Sequence, residues 1–246
     1  MNADPAAQLR LLDLQAVDTA LAQLAHRRGS LPEIAKLADA DARANELGNE
    51  VIDAETRLAD VAEDQKRFET EIDQVRSRET RDEQRLQSGG LPAKELEGLQ
   101  HELATLKRRQ GSLEDDLLEV MERRETVEAD LLRLTAQRDE VISERNGLVA
   151  ARDAAFAEID AAVAERTGER TAIATEIPAD LLALYEKART AGGGVGAAML
   201  RQRRCEGCRI ELSGSELSAV RAAAPDAVVR CENCRRILVR TAESGL

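Results

Sequence analysis

Residues 37–75 read LADADARANELGNEVIDAETRLADVAEDQKRFETEIDQV. Stepping through them by three and four in turn lands on Leu37, Ala40, Ala44, Leu47, Val51, Ala54, Leu58, Val61, Gln65, Phe68, Ile72 and Val75. Eleven of these twelve positions are apolar, and the residues between them are mostly Asp, Glu, Arg and other polar types. Sustained 3-4 spacing over this length is the seam of a coiled coil; the stripe of a helix on a globular core is wider. The spacing returns at Leu96, Leu99, Leu103, Leu106, Gln110, Leu113, Leu117, Val120, Arg124, Val127, Leu131, Leu134, Arg138 and Val141. Leu118, Leu132 and Ile142 sit beside this second seam and are expected to widen it.

Between the two seams lies Ser88-Gly89-Gly90-Leu91-Pro92. Glycines favour the end of one helix and Pro92 is compatible with the first turn of the next, so the connection is short and the helices are antiparallel neighbours. Folding the chain evenly about this loop places Gln65 near Gln110, a polar pair that would fix register or leave a wet spot in the seam. Gly29-Ser30-Leu31-Pro32 interrupts the first arm, and Ser30 with Glu33 forms a candidate capping box. Asn146-Gly147 stands opposite, so a kink through both arms is expected. Below it Leu14, Val17, Leu21 and Leu24 continue the seam against Phe156, Ile159 and Val163. A short helix is expected from Pro178, followed by a linker or tight turn at Gly192-Gly193-Gly194-Val195-Gly196. No strand precedes these glycines and no Gly-Lys-Ser/Thr follows them, which argues against a phosphate-binding loop.

Composition agrees with narrow seams in place of a broad core. The chain is 33% charged, and Phe68, Phe156 and Tyr185 are its only aromatic residues. No apolar run approaches the roughly 20 residues of a membrane span, and the start MNADPAAQLR has neither a basic segment nor an apolar core. A soluble, cytoplasmic protein is expected. Formal net charge is −12, yet residues 199–240 hold nine arginines against five acidic residues. Charge asymmetry of this kind points to different partners for the two parts.

All four cysteines fall in two pairs, Cys205-Glu206-Gly207-Cys208 and Cys231-Glu232-Asn233-Cys234. Two intervening residues let one tight turn aim two thiolates at one ion, and two such turns complete a tetrahedral zinc site. Gly207 and Asn233 are read as the residues that accept the backbone geometry of those turns. Short β-leaning stretches flank each pair: Ala198-Met199-Leu200 and Ile210-Glu211-Leu212, then Ala227-Val228-Val229 and Ile237-Leu238-Val239. Ser213-Gly214-Ser215-Glu216 caps a helix from Leu217 that Pro225 ends. Four thiolates leave no open coordination position, so the zinc is structural, not catalytic. A thiol redox enzyme would need a thioredoxin-like βαβ setting, which is missing. His26 and His101 are read as surface residues, and no catalytic constellation is present.

The expected fold is thus mostly α: a long kinked antiparallel coiled-coil hairpin over residues 1–176, a short helix and Gly-rich linker over 177–196, and a zinc ribbon of short strands and one helix over 197–246. Arg201, Arg203, Arg204, Arg209, Arg230, Arg235 and Arg236 crowd the ribbon and are candidate contacts to nucleic-acid phosphates, DNA or RNA. Ion pairing with neighbouring acids is the competing explanation of these arginines. Residues 186–246 contain no aromatic side chain, which excludes base stacking on an aromatic platform there.

At the cysteines the chain resembles a bacterial family of coiled-coil hairpin proteins with a C-terminal four-cysteine zinc ribbon, regarded as nucleic-acid-binding. The matching residues are Lys94-Glu95-Leu96-Glu97-Gly98-Leu99-Gln100-His101-Glu102, Val195-Gly196-Ala197-Ala198, the two cysteine pairs, and Arg235-Arg236-Ile237-Leu238 after the last cysteine. High Arg and Ala content is similar to that of actinobacterial members. The resemblance implies a cytoplasmic regulator or adaptor, with roles in transcription, messenger RNA handling, sigma-factor binding or flagellar and secretion assembly. Nothing in this sequence reads as a flagellar or secretion determinant. Arg235 stands where the family often has Gly, which puts a tight turn after the last cysteine in question. The leading expectation is a non-enzymatic regulator whose ribbon binds nucleic acid and whose hairpin binds protein, without a small-molecule substrate. The alternative is a protein-only adaptor or chaperone scaffold.

Overall fold

The computed structural model describes residues 1–246. Four helices come first: α1 (Pro5–Gly29), α2 (Pro32–Gln87), α3 (Ala93–Thr175) and α4 (Ala179–Ala191). The ribbon follows with β1 (Ala197–Arg201), β2 (Arg204–Cys205), α5 (Gly214–Ala222), β3 (Val229–Arg230), β4 (Ile237–Val239) and a final 3-10 turn at Ala242–Ser244. None of the helices is long and apolar enough to cross a membrane. The chain forms two compact units, one of residues 35–149 and one of residues 1–34 with 150–246.

Within residues 35–149, α2 and α3 form the expected antiparallel seam. Val51, Ala54 and Leu134 are buried together, with Leu47 and Leu131 packed against them. Every seam position from Leu37 to Val75 is buried or half-buried, as the 3-4 spacing requires. The register differs from the even fold about Gly89. Gln65 accepts a 3.0 Å hydrogen bond from Arg124, one of the three polar residues of the facing seam. Gln110 instead donates to Glu114, which also binds Arg76. Gln110 is therefore level with Arg76, about three turns from Gln65. The offset arises at the tip, where Ala93–Gly98 are all exposed and the buried seam of α3 begins only at Leu99.

Three further expectations change. The break lies in the first arm alone: Ser30 and Leu31 separate α1 from α2, while α3 runs through Asn146-Gly147. Glycine in a helix costs about 1 kcal/mol but keeps its hydrogen bonds, whereas proline lacks an N–H and drives the preceding residue out of helical geometry. Ser30 does not cap α2; its hydroxyl returns to the His26 carbonyl and closes α1. Leu118 and Leu132 are 59% and 74% exposed and Ile142 is 38% exposed, so they do not widen the seam.

In the other unit, the four-stranded sheet has the order β2-β1-β4-β3, with β1 and β4 parallel and the remaining pairs antiparallel. Period-2 alternation divides this sheet between two cores. Ala197, Ile237 and Val239 face Leu11, Leu14, Leu181 and Tyr185 of α1 and α4. Ala198, Leu200 and Leu238 face Leu212, Val220 of α5 and the cysteines. Residues 1–3 add to the sheet edge, where Ala3 donates to the Asp226 carbonyl and Val228 donates to that of Met1. Ser213 and Glu216 form the expected capping box on α5. The stretch Ile210–Leu212 makes only an isolated bridge from Glu211 to Arg204.

A buried polar knot ties these layers together. Asp18 has a side chain 1% exposed and accepts from Arg170 at 2.6 Å and Tyr185 at 2.7 Å. Gln15 accepts from Tyr185 and the Gly196 amide and donates to the Gly194 carbonyl. Arg170 also reaches Glu186 of α4. The glycine segment is thus a pinned turn. Gly193 and Gly194 have positive φ, and a Cβ on Gly196 would meet the Tyr185 carbonyl at 2.6 Å.

Candidate metal centre and basic face

The two cysteine pairs form a pseudo-symmetric couple of knuckles. In the first, the Cys205 amide donates to the Ile210 carbonyl and the Arg209 amide to that of Cys205. In the second, the Cys231 amide donates to the Arg236 carbonyl and the Arg235 amide to that of Cys231. The residue after each second cysteine turns left-handed, with φ of 62° at Arg209 and 65° at Arg235. The tight turn after the last cysteine is therefore made by arginine. Gly207 and Asn233 have no positive φ. Gly207 is required for space, since a Cβ there would lie 2.7 Å from Arg236 Cδ and 3.0 Å from Ala198 Cβ.

The knuckles bring all four sulfurs within 4.8 Å of one another. Cys205 and Cys234 Sγ are 3.8 Å apart, and Cys208 and Cys231 Sγ 3.9 Å. Four thiolates at about 2.3 Å around a tetrahedral zinc are separated by about 3.8 Å, so the cluster fits one structural zinc ion. Burial pushes the Cys205 and Cys231 thiols above their ordinary range. Burial also acts on Cys208, but the Ile210 amide, the Asn233 side chain and the neighbouring cysteines outweigh it, bringing that thiol down to about 7. A divalent cation binding here displaces protons, which ties its affinity to pH.

Of the seven candidate arginines, Arg236 is built into the fold, and the exposed Arg201 and Arg203 are tied to the C-terminal turn. Arg236 is half-buried and gives its guanidinium to three carbonyls: Gly192 at 2.6 Å, Gly207 at 2.9 Å and Val195 at 3.1 Å. It joins the first knuckle to the glycine turn, which its charge alone does not reveal. Arg201 pairs with Glu243 at 3.0 Å, and Arg203 bonds the Gly245 carbonyl. Arg204, Arg209 and Arg235 are exposed with no ion pair, and Arg230 makes one bond to the Arg235 carbonyl. These four have a sequence signal that residue counts miss: each knuckle reads Arg-Cys-Glu-x-Cys-Arg, over residues 204–209 and 230–235. One arginine enters and one leaves each knuckle, with the exposed Glu206 and Glu232 between them. His26 and His101 are both exposed.

Known proteins share both parts of this architecture. The CT398-like coiled coil hairpin domain matches residues 14–193 and the C4-type zinc ribbon domain matches residues 204–238. A Mycobacterium tuberculosis H37Rv protein, Rv2229c, is 42% identical over 240 residues, 98% of each chain. A solved Mycobacterium smegmatis structure superposes with a TM-score of 0.88 at 42% identity, covering 98% of this chain and 100% of that one. The structure of CT398 from Chlamydia trachomatis shares the fold, with a TM-score of 0.71 at 20% identity over 96% and 98% of the two chains.

Proposed function

We propose, from the premise that the chain belongs to the CT398-like coiled-coil hairpin family and carries a C4-type zinc ribbon, that it is a cytoplasmic, non-enzymatic regulator. Cys205, Cys208, Cys231 and Cys234 ligate one zinc ion, whose role is to hold the two knuckles together. The ribbon contacts nucleic-acid phosphates and the hairpin engages a protein. The observation that carries the nucleic-acid half is the repeated Arg-Cys-Glu-x-Cys-Arg knuckle. It sets Arg204, Arg209, Arg230 and Arg235 at the surface around one metal site, in a chain that is otherwise strongly acidic. Guanidinium contacts to phosphate fix position without reading bases, so binding is salt-dependent and weakly selective for sequence.

With all four coordination positions taken by thiolates, the metal has no place for a substrate or a nucleophilic water. The second reading is a protein-only adaptor, favoured by Glu206 and Glu232, which interrupt the positive face. Affinity purification with and without nuclease separates the two. Nucleic acid recovered with the wild-type chain and lost after nuclease supports the regulator. A protein retained unchanged after nuclease, with no nucleic acid in either sample, supports the adaptor.

A further inference from the structure

The two edges of the α2–α3 seam differ. On one edge, arginine and glutamate face each other across the arms as Arg43–Glu144, Glu71–Arg109 and Arg78–Glu102. The other edge holds Arg76–Glu114 and Glu83–Lys107 near the tip and Asp41–Arg145 at its far end. Neither edge has a cross-arm ion pair along its middle, but there the first edge carries Glu50, Arg57 and Asp64 on α2 and Arg123, Asp130 and Gln137 on α3, whereas the second is largely apolar on α3. Heptad steps from Glu114 lead to Met121 and Ile142, and steps from Arg76 lead to Ala62. Leu118 and Leu132 lie beside them on α3, and Ile52 beside them on α2. All are exposed, Leu132 by 74% and both Leu118 and Ile52 by 59%. A two-stranded coiled coil needs apolar residues only along its seam; a further apolar row on one flank belongs to a helix that meets a third helix.

The molecule shows what such a flank looks like when covered. Gln15 and Asp18 of α1 also stand one residue past seam positions, and both are buried because α4 and the glycine turn lie over them. Nothing lies over Leu118, Met121, Leu132 and Ile142. The charges beside the bare row are Glu55, Glu69 and Glu125 against Lys66, with Glu128 already held by Arg124 and Asp139 by Arg138. A second copy would bring the same acidic flank and be repelled, whereas a basic partner is attracted.

We propose that this edge is the docking site for one basic amphipathic helix of a protein partner. The helix lies along α3 from Leu118 to Ile142, a length of about 36 Å. This rests on the reading that the hairpin engages protein and names the face and the chemistry of that contact. Apolar residues of the incoming helix fill the row, and its lysines or arginines meet the acidic rim.

The test uses the full zinc-loaded chain and three 25-residue probes: an amphipathic Lys/Leu peptide, its Glu/Leu counterpart and a scrambled Lys/Leu sequence. Anisotropy should show the Lys/Leu helix binding at least tenfold more tightly than either control. Replacing Leu118, Met121, Leu132 and Ile142 together by Gln should weaken it at least tenfold, with helicity and melting unchanged because these side chains are exposed. Reversing Glu55, Glu69 and Glu125 to Lys should invert the preference toward the Glu/Leu peptide. Equal binding to wild type and the Gln variant would overturn the proposal, as would a wild-type dimer that the Gln variant loses. Photo-crosslinkers placed in cells at Leu132 and, on the opposite edge, at Arg57 separate this failure from that of the parent reading. A basic helical segment captured at Leu132 supports the site. Capture at Arg57 alone overturns the site and leaves a protein-binding hairpin; capture at neither position overturns both.

Discussion

Replacing Arg236 by Ala should release zinc, although Arg236 touches no sulfur. Its guanidinium donates to the carbonyls of Gly192, Val195 and Gly207. Gly207 lies between the first two cysteines, and Gly192 and Val195 bound the turn that leads into β1. Hydrogen bonds from a charged donor contribute roughly 1.5–3 kcal/mol each when fully shielded. These carbonyls are only half-buried and water can replace part of the loss, so about 3 kcal/mol for the set is a reasonable magnitude. If half of that falls on the geometry of the first knuckle, zinc affinity drops about tenfold. The assay is competition with a chromogenic chelator at fixed pH, alongside thermal unfolding followed by circular dichroism. Arg236→Lys should not rescue, because one ammonium cannot reproduce a planar fork aimed at three carbonyls. An Arg236→Ala protein that held zinc as tightly as wild type and melted at the same temperature would refute this reasoning.

Other perturbations test neighbouring parts of the account. Arg235→Gly should stabilise the ribbon by about 1 kcal/mol in a denaturant titration, because it removes the Cβ penalty of a left-handed residue. Gly196→Ala should cost upwards of roughly 2 kcal/mol, since the new Cβ would meet the backbone of Tyr185 and the overpacking cannot relax. Burial, followed by the hydrogen bond to Asp18, pushes the Tyr185 phenol above its ordinary range. The native state therefore keeps a proton that the unfolded chain gives up near pH 10, and this part of the stability is present below that pH and lost as pH rises above it. Tyr185→Phe should remove that alkaline dependence from a pH series of melts. Spin labels at positions flanking Gln65 and Arg124 should be close within one chain, and those flanking Gln65 and Gln110 about 16 Å farther apart along the axis.

Much of this architecture can be read from residue spacing. Seam positions, the hairpin loop, the capped α5 and the four sulfurs all follow from local patterns, because each depends on residues within a turn or two. The register could not be read in the same way, because it depends on how far α3 runs past the loop before Leu99 finds a partner. The burial of Asp18 and Gln15 is hidden for a similar reason: a helix sequence does not announce a third element lying over its flank. The difference in charge between ribbon and hairpin suggests that each buries its own apolar surface. The alternation in β1 and β4 overturns that reading, with Ile237 and Val239 packed on α1 and α4 while Leu238 faces the cysteines. Cys231→Ser should then disturb the base of the hairpin as well as the ribbon. Arg236 reads as one more charge of the basic face because charge is visible in sequence and three waiting carbonyls are not.

Direct binding to generic nucleic acid tests the central claim. The chain should be titrated with fluorescent single- and double-stranded DNA and RNA across a salt series. It should be compared with a variant that changes Arg204 and Arg230 to Ala and Arg209 and Arg235 to Gly. Glycine at the last two positions keeps the left-handed turns, so zinc content should be unchanged. Wild type should bind at low salt and lose affinity steadily as salt rises. The variant should bind weakly with a flatter salt slope, whatever the base sequence. Wild type that bound none of these polymers at low salt, or a zinc-loaded variant that bound as well as wild type, would contradict that claim.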